Sequence, residues 1–268
     1  MNFKEVFGMS RNKLWLLVAL CCVLAALVAC GGGEKSAEAP APAAAPAAAP
    51  AAAPADAGSA GTVSGTVTFK GADDDTEIKM NADPVCAGLH KTPVDTNNIN
   101  TKDGKLADVF VYVKTGLEGK TFPVPAEAKT LDQQGCLYHP KVFGIQVGQK
   151  LTIKNSDSTL HNIHALPTKN TEFNQGQPFQ NMTFDKTFDK PEVLMHFKCD
   201  VHPWMSAWLG VVDNPFYAVS DESGAFSIAK LPAGKYTLAA VHPTLGEKTA
   251  EVTVAAGQTA TAAFDFTK

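Results

Sequence analysis

Basic charge is in short supply: 23 Lys+Arg face 27 Asp+Glu, a formal charge of -4. Binding a phosphate backbone needs a basic stripe, and none runs through this chain, so nucleic acid is not an expected partner. Cysteine is sparse, with six residues, and no C-x-x-C-H string is present, which removes covalent haem attachment. No stretch after Gly61 keeps a helical period, which removes a helix-built body. Long apolar runs are confined to one, Leu14 to Val28.

That run follows Lys4, Arg11 and Lys13 and ends L-V-A-C at Leu27 to Cys30, the pattern of a secretion signal over residues 1–29. Its length suits a signal core better than a membrane span. The L-V-A-C string resembles the bacterial lipobox, which implies cleavage after Ala29 and acylation of Cys30. Gly31 follows in place of the aspartate of inner-membrane retention, so the resemblance implies a cell-envelope lipoprotein of the outer membrane, facing the periplasm. Loss of residues 1–29 leaves 20 Lys+Arg against 26 Asp+Glu, a charge of -6, and four cysteines: Cys30, Cys86, Cys136 and Cys199. Residues 30–61 collapse to Ala and Pro, a composition that cannot bury a core and favours an extended polyproline tether.

Beyond the tether, short β-rich runs alternate with Gly, Pro, Asn and Asp, which predicts an all-β body of sandwiches or barrels. Strands are expected near Val63–Phe69, Val109–Lys114, Lys150–Asn155, Asn162–Ala165, Val193–Cys199 and Trp208–Val212, with five more between Phe216 and Phe266. The Asp213-Asn214-Pro215 cluster marks a boundary between residues 62–213 and a smaller unit, 214–268. Its 50 or so residues make a small core, which needs Val63–Phe69 or the larger unit's surface to complete it.

Residues Cys199 to Met205 read C-D-V-H-P-W-M, a thiol, an imidazole and a thioether just after a strand. Soft sulfur favours Cu(I) and imidazole also serves Cu(II), so this mixture suits copper, whereas structural zinc does not take a thioether. Alternation puts Val193, Met195, Phe197 and Cys199 on one strand face and Leu194, His196 and Lys198 on the other. A second imidazole is needed, and N-S-D-S-T-L-H-N-I-H, Asn155 to His164, supplies two.

This pairing of N-x-D-x-x-x-H-N-x-H with F-x-C-x-x-H-P-x-M resembles the amicyanin and plastocyanin group of cupredoxins. The resemblance implies a Greek-key β-sandwich and one type 1 copper ion held by His161, Cys199, His202 and Met205. Asn162 then matches the position that steadies the ligand loop and the thiolate. His164, three residues on, faces away from His161 and is expected to pack or lie at the surface, the alternative being that it, not His161, ligates copper. His90, His139, His196 and His242 are expected to be exposed, and Met80, Met182 and Met195 to be ordinary apolar residues. The order after the copper loop, including D-E-S-G-A-F-S-I-A-K-L-P-A-G-K-Y-T-L, is similar to a carboxypeptidase regulatory-like domain of transthyretin-like topology, without an H-x-x-E peptidase arrangement.

With Cys30 acylated and Cys199 on metal, Cys86 and Cys136 remain, and exported chains keep disulfides, so these two are expected to be bridged. A second metal site on Cys136 and His139 is the alternative. The expected function is a one-electron carrier, not an enzyme, working with a redox protein such as a cytochrome or membrane oxidoreductase. In cupredoxins the electron passes through the loop His, here His202. Pro203, Trp204 and Trp208 are candidates for a docking patch around it, the alternative being tryptophans packed between the two units. Copper storage or delivery, or a structural role, are the competing functions.

Overall fold

The computed structural model describes residues 60–74 and 76–268, so the signal segment, Cys30 and nearly all of the tether lie outside the described residues. Among the described residues, eighteen strands form four sheets, and one six-residue helix, Pro84–Leu89, lies outside them. The all-β expectation holds, and the four sheets enclose two apolar cores.

The first core lies between a five-stranded and a four-stranded sheet. The five run Phe173–Gln177, His161–Leu166, Glu192–Lys198, Ser206–Val212 and Val142–Gln146; the four run Thr183–Lys186, Leu151–Asn155, Lys129–Gln134 and Leu137–His139. One pair in each sheet is parallel, Ser206–Val212 with Val142–Gln146 and Lys129–Gln134 with Leu151–Asn155. Parallel pairs need crossovers, so the chain passes between sheets in the Greek-key manner instead of folding as successive hairpins. Leu131, Leu151, Ile153, Ile163, Ala165, Met195 and Phe197 alternate inward and fill this core. Continuing the same faces toward one end of the sandwich are Gln133, Asn155, His161 and Cys199, all buried. Each apolar column therefore terminates in a polar side chain or, in one case, a thiol.

The second core draws on both ends of the chain. Ala60–Lys70 pairs in parallel with Thr259–Thr267 and antiparallel with Ala225–Pro232, while Phe110–Thr115 pairs with Tyr217–Val219 and Gly234–His242. Val63, Val67 and Phe69 thus pack with Phe226, Ile228, Phe264 and Phe266. Val63–Phe69 and Phe110–Thr115 both pair with strands from beyond Asp213, so this core draws on both sides of the Asp213-Asn214-Pro215 cluster. A core built from residues 214–268 alone would lack both contributions.

A smaller cluster joins the two sandwiches, with Phe110, Val142 and Val212 buried and Val193, Leu194, Trp208 and Tyr217 packed against them. Gly144 and Gly210 permit it: a Cβ at either would stand 2.6 or 2.4 Å from the Phe110 ring. The strand Glu192–Lys198 bulges between Glu192 and Met195, with Leu194 at a φ of 56°. The bulge turns Val193 toward this joining cluster, correcting the expectation that it shares the Cys199 face.

Candidate metal centre

His161 begins its strand, Cys199 follows the last residue of the neighbouring strand, and the turn after Cys199 brings His202 back over it. The turn is tied by Met205 N–H to His202 O at 2.9 Å, Cys199 N–H to Met205 O at 3.3 Å and His202 N–H to Cys199 Sγ at 3.4 Å. The three ligand atoms converge: His161 Nδ1 lies 2.9 Å from His202 Nδ1, and Cys199 Sγ lies 3.8 Å from His202 Nδ1. All three, drawn from two segments of the sequence, lie within 4.8 Å of one another and are buried. Met205 is fully buried in the same core, its backbone bonded to both Cys199 and His202.

Each imidazole is oriented from behind by a carboxylate. His161 Nε2 is 3.0 Å from Asp157 Oδ2, and His202 Nε2 is 3.0 Å from Asp83 Oδ2. A carboxylate accepts, so each ring donates its Nε2–H outward and leaves its Nδ1 facing inward. Two ring nitrogens and a sulfur facing one another in a buried space could hold a metal ion among them. The donor set of two imidazoles and a thiolate, with a thioether on the same loop, fits copper.

The sulfur is prepared for that role. Burial pushes the Cys199 thiol up, but the bond with His161 and backbone N–H groups of Asn162, His202 and Val201 outweigh it and hold the thiol below its ordinary value. Burial pushes His161 down, and its bonds to Asp157 and Cys199 reverse this and raise it. Asp157 is itself fixed by the two-residue turn Gly135-Cys136, both at positive φ, whose N–H groups donate to it at 2.8 and 2.7 Å. Asn162 Oδ1 accepts from Asp200 N–H at 2.7 Å and lies 3.2 Å from Cys199 Sγ, a link between the two ligand-bearing segments.

Cys86 and Cys136 form a disulfide, the pairing expected, so Cys136 is not part of a second metal site with His139. Cys199 is the free cysteine among the described residues. His164 does face away, bonded to Asp200 and Glu172. Of the four histidines expected to be exposed, His139 is; His90 bonds Gly135 O, His196 stacks on Trp208 at 4.3 Å, and His242 is 2% exposed. The His242 Nδ1 accepts from the N–H groups of Thr244 and Leu245, which satisfies it in the interior.

The expected docking patch is altered most. His202 is 2% exposed, so its edge does not reach the surface. Trp204 packs against the imidazole at 5.1 Å and donates Nε1–H to Cys136 O, and Trp208 is part of the joining cluster; Pro203 alone of the three is exposed. Two residues that contact the candidate ligands escaped the sequence reading. Asp157 stood inside the quoted motif without a role, and Asp83 carried only the helix-start signal of Asp before Pro.

A family model for the carboxypeptidase regulatory-like domain matches residues 211–267. The strand Ala60–Lys70, which pairs with two strands of that region, lies outside the match. No curated protein matches the chain. Similar solved structures include a purple cupredoxin from Nitrosopumilus maritimus, 23% identical, covering 31% of this chain and 98% of that one at a TM-score of 0.27. A mutant of amicyanin in its Cu(I) form is 21% identical, with 33% and 85% covered and a TM-score of 0.29. A Cu-containing nitrite reductase from Thermus scotoductus is 18% identical at a TM-score of 0.30; the match covers 55% of this chain and 28% of that one.

Proposed function

We propose that this chain is a type 1 copper protein that carries single electrons between redox partners at the cell envelope. The observation carrying this reading is the convergence of His161 Nδ1, His202 Nδ1 and Cys199 Sγ in a buried site, each imidazole held in one tautomer by a carboxylate. His161, Cys199 and His202 would hold the copper, with Met205 as the weak axial ligand. A copper ion bound there supplies a one-electron couple between Cu(II) and Cu(I).

The chain's own part is to keep the donors in place in both oxidation states. Asp157 and Asp83 fix the rings, Asn162 ties the two ligand-bearing segments together, and burial keeps water from competing for the metal. The N-terminal segment, in this reading, exports the protein and leaves it anchored by lipid on Cys30 to the outer membrane, facing the periplasm, with residues 30–61 as the tether. Residues 62–213 carry the copper and residues 214–268 form the carboxypeptidase regulatory-like part, the two sharing strands. A carrier is favoured over copper delivery because a donor bound for transfer needs an open site, and this one is closed.

Adding Cu(II) to the metal-free protein tests the reading. An intense visible sulfur-to-copper band that saturates at one equivalent, and bleaches and returns through repeated reduction and reoxidation, is the expected result. A colourless protein with ordinary tetragonal copper resonance overturns it.

A further inference from the structure

The outer edge of His202 is closed by a segment distant in sequence from every ligand. Residues Thr76–Ile78 lie against Val94–Thr96, with Ile78 N–H bonded to Val94 O and Thr96 N–H to Thr76 O. The helix Pro84–Leu89 sits at the tip of this loop, over the metal loop. Three attachments pin it down: burial of Ile78 and Met80 in the first core, the Cys86–Cys136 disulfide, and His90 Nε2 against Gly135 O at 2.7 Å.

Asp83 is where this loop meets the site, and its two oxygens have separate tasks. Oδ1 accepts from the N–H groups of Val85 and Cys86 at 2.8 and 3.1 Å, capping the helix. Oδ2 faces His202 Nε2 at 3.0 Å and Thr159 Oγ1 at 3.3 Å. Cys86 Sγ comes within 3.5 Å of the same His202 nitrogen. Because Cys86 is committed to the disulfide, the grouping of Asp83, Cys86 and His202 does not make a second metal site.

Resting on the copper reading above, we propose that Asp83 is a positioning residue of the metal centre and that the Thr76–Thr96 loop is a fixed cap. The cap holds His202 with Nδ1 turned inward and shields its outer edge from chelators and from direct contact with a partner. Capping the helix ties the carboxylate's position to the disulfide-pinned loop, so the imidazole cannot swing out unless the loop lifts. A carboxylate behind a ligating imidazole also raises its basicity and favours the more highly charged metal state.

The test compares the full mature chain with Asp83→Ser, since serine still caps a helix and, one atom shorter with a single oxygen, cannot also reach His202. In the metal-free proteins, imidazole nitrogen NMR reads the tautomer directly. The wild type is expected to hold His202 as the Nε2–H form and Asp83→Ser to show a mixture. In the copper-loaded proteins, the variant is expected to bind copper roughly 10–100-fold more weakly. It is also expected to lose Cu(I) to bathocuproine disulfonate at least about tenfold faster, and to have a higher reduction potential. An Asp83→Ser protein with an unchanged tautomer, extraction rate and potential overturns the cap. The NMR arm needs no metal, so a wild type that forms no blue centre sinks the copper reading alone.

Discussion

The two sandwiches are built alike and filled differently. Around the carboxypeptidase regulatory-like region the core is mainly apolar, with Val63, Val67, Leu238, Phe264 and Phe266 meeting across two sheets and His242 a buried polar exception beside Phe266. The other sandwich ends its core in Gln133, Asn155, Asp157, His161, Gln177 and His202, all nearly out of reach of water. Burying polar groups costs free energy unless each finds a partner. Most of the polar groups here do: Gln133 Nε2–H donates to Gln177 Oε1 at 2.7 Å, and Asn155 Nδ2–H to Thr159 O and Gln177 O, while Gln133 Oε1 is buried without a partner. The difference teaches where chemistry is housed. One sandwich is filled mainly for packing, and the other accepts an expensive polar end at which the three candidate ligand atoms meet.

Copper offers the sharpest way to separate them. Metal bound to the native state at about a thousandfold above its Kd should add about 4 kcal/mol of stability. Hydrogen exchange should place that gain in strands His161–Leu166 and Glu192–Lys198, with little change in Gly246–Val254. Equal protection of both sandwiches would mean that they unfold as one unit.

Breaking the contact between them is next in size. Phe110→Ala empties a fully buried ring site shared by both and should cost about 3–5 kcal/mol in urea unfolding. Replacing Cys86 and Cys136 by alanine opens a loop with a sequence separation of 50 and should cost about 4 kcal/mol on the chain-entropy model, read in the same way.

Acid should act on the second sandwich through His242. Burial, aided by the charge of Lys141, pushes its imidazole down to about 4 from 6.5. A group that folds in its neutral form gives full stability above its unfolded value, and that stability is lost as pH falls from 6.5 to about 4. The loss should approach about 3 kcal/mol, and His242→Asn, which keeps an acceptor without titrating, should flatten that slope. Smallest of all, the exposed Lys114–Glu247 pair across this sandwich should contribute no more than about 1 kcal/mol, and less in salt. Thermal unfolding of Lys114→Ala at two ionic strengths measures it.

Much of this was legible in the sequence. Strands with β-branched, alternating residues, such as Val63–Phe69 and Asn162–Ala165, stand out, and the ligand motif needs no structure to locate. Strands such as Lys129–Gln134, Phe173–Gln177 and Thr183–Lys186 did not, because K-T-L-D-Q-Q, F-N-Q-G-Q and T-F-D-K carry too few apolar side chains to display a period of two. Val142–Gln146 is buried on both faces and shows no alternation either. The borrowing of Phe110–Thr115 is a long-range pairing, which local pattern does not encode. Asp83 lies 119 residues from the imidazole it orients, so its local signal announces a helix start and says nothing of its partner.

X-ray absorption at the copper edge, recorded on the loaded wild type and on Cys199→Ser, tests the central claim most directly. The account predicts two imidazole nitrogens and one short copper–sulfur bond in the wild type, with that sulfur gone in the variant. A wild-type spectrum showing only nitrogen and oxygen around the metal, unchanged by Cys199→Ser, would contradict it.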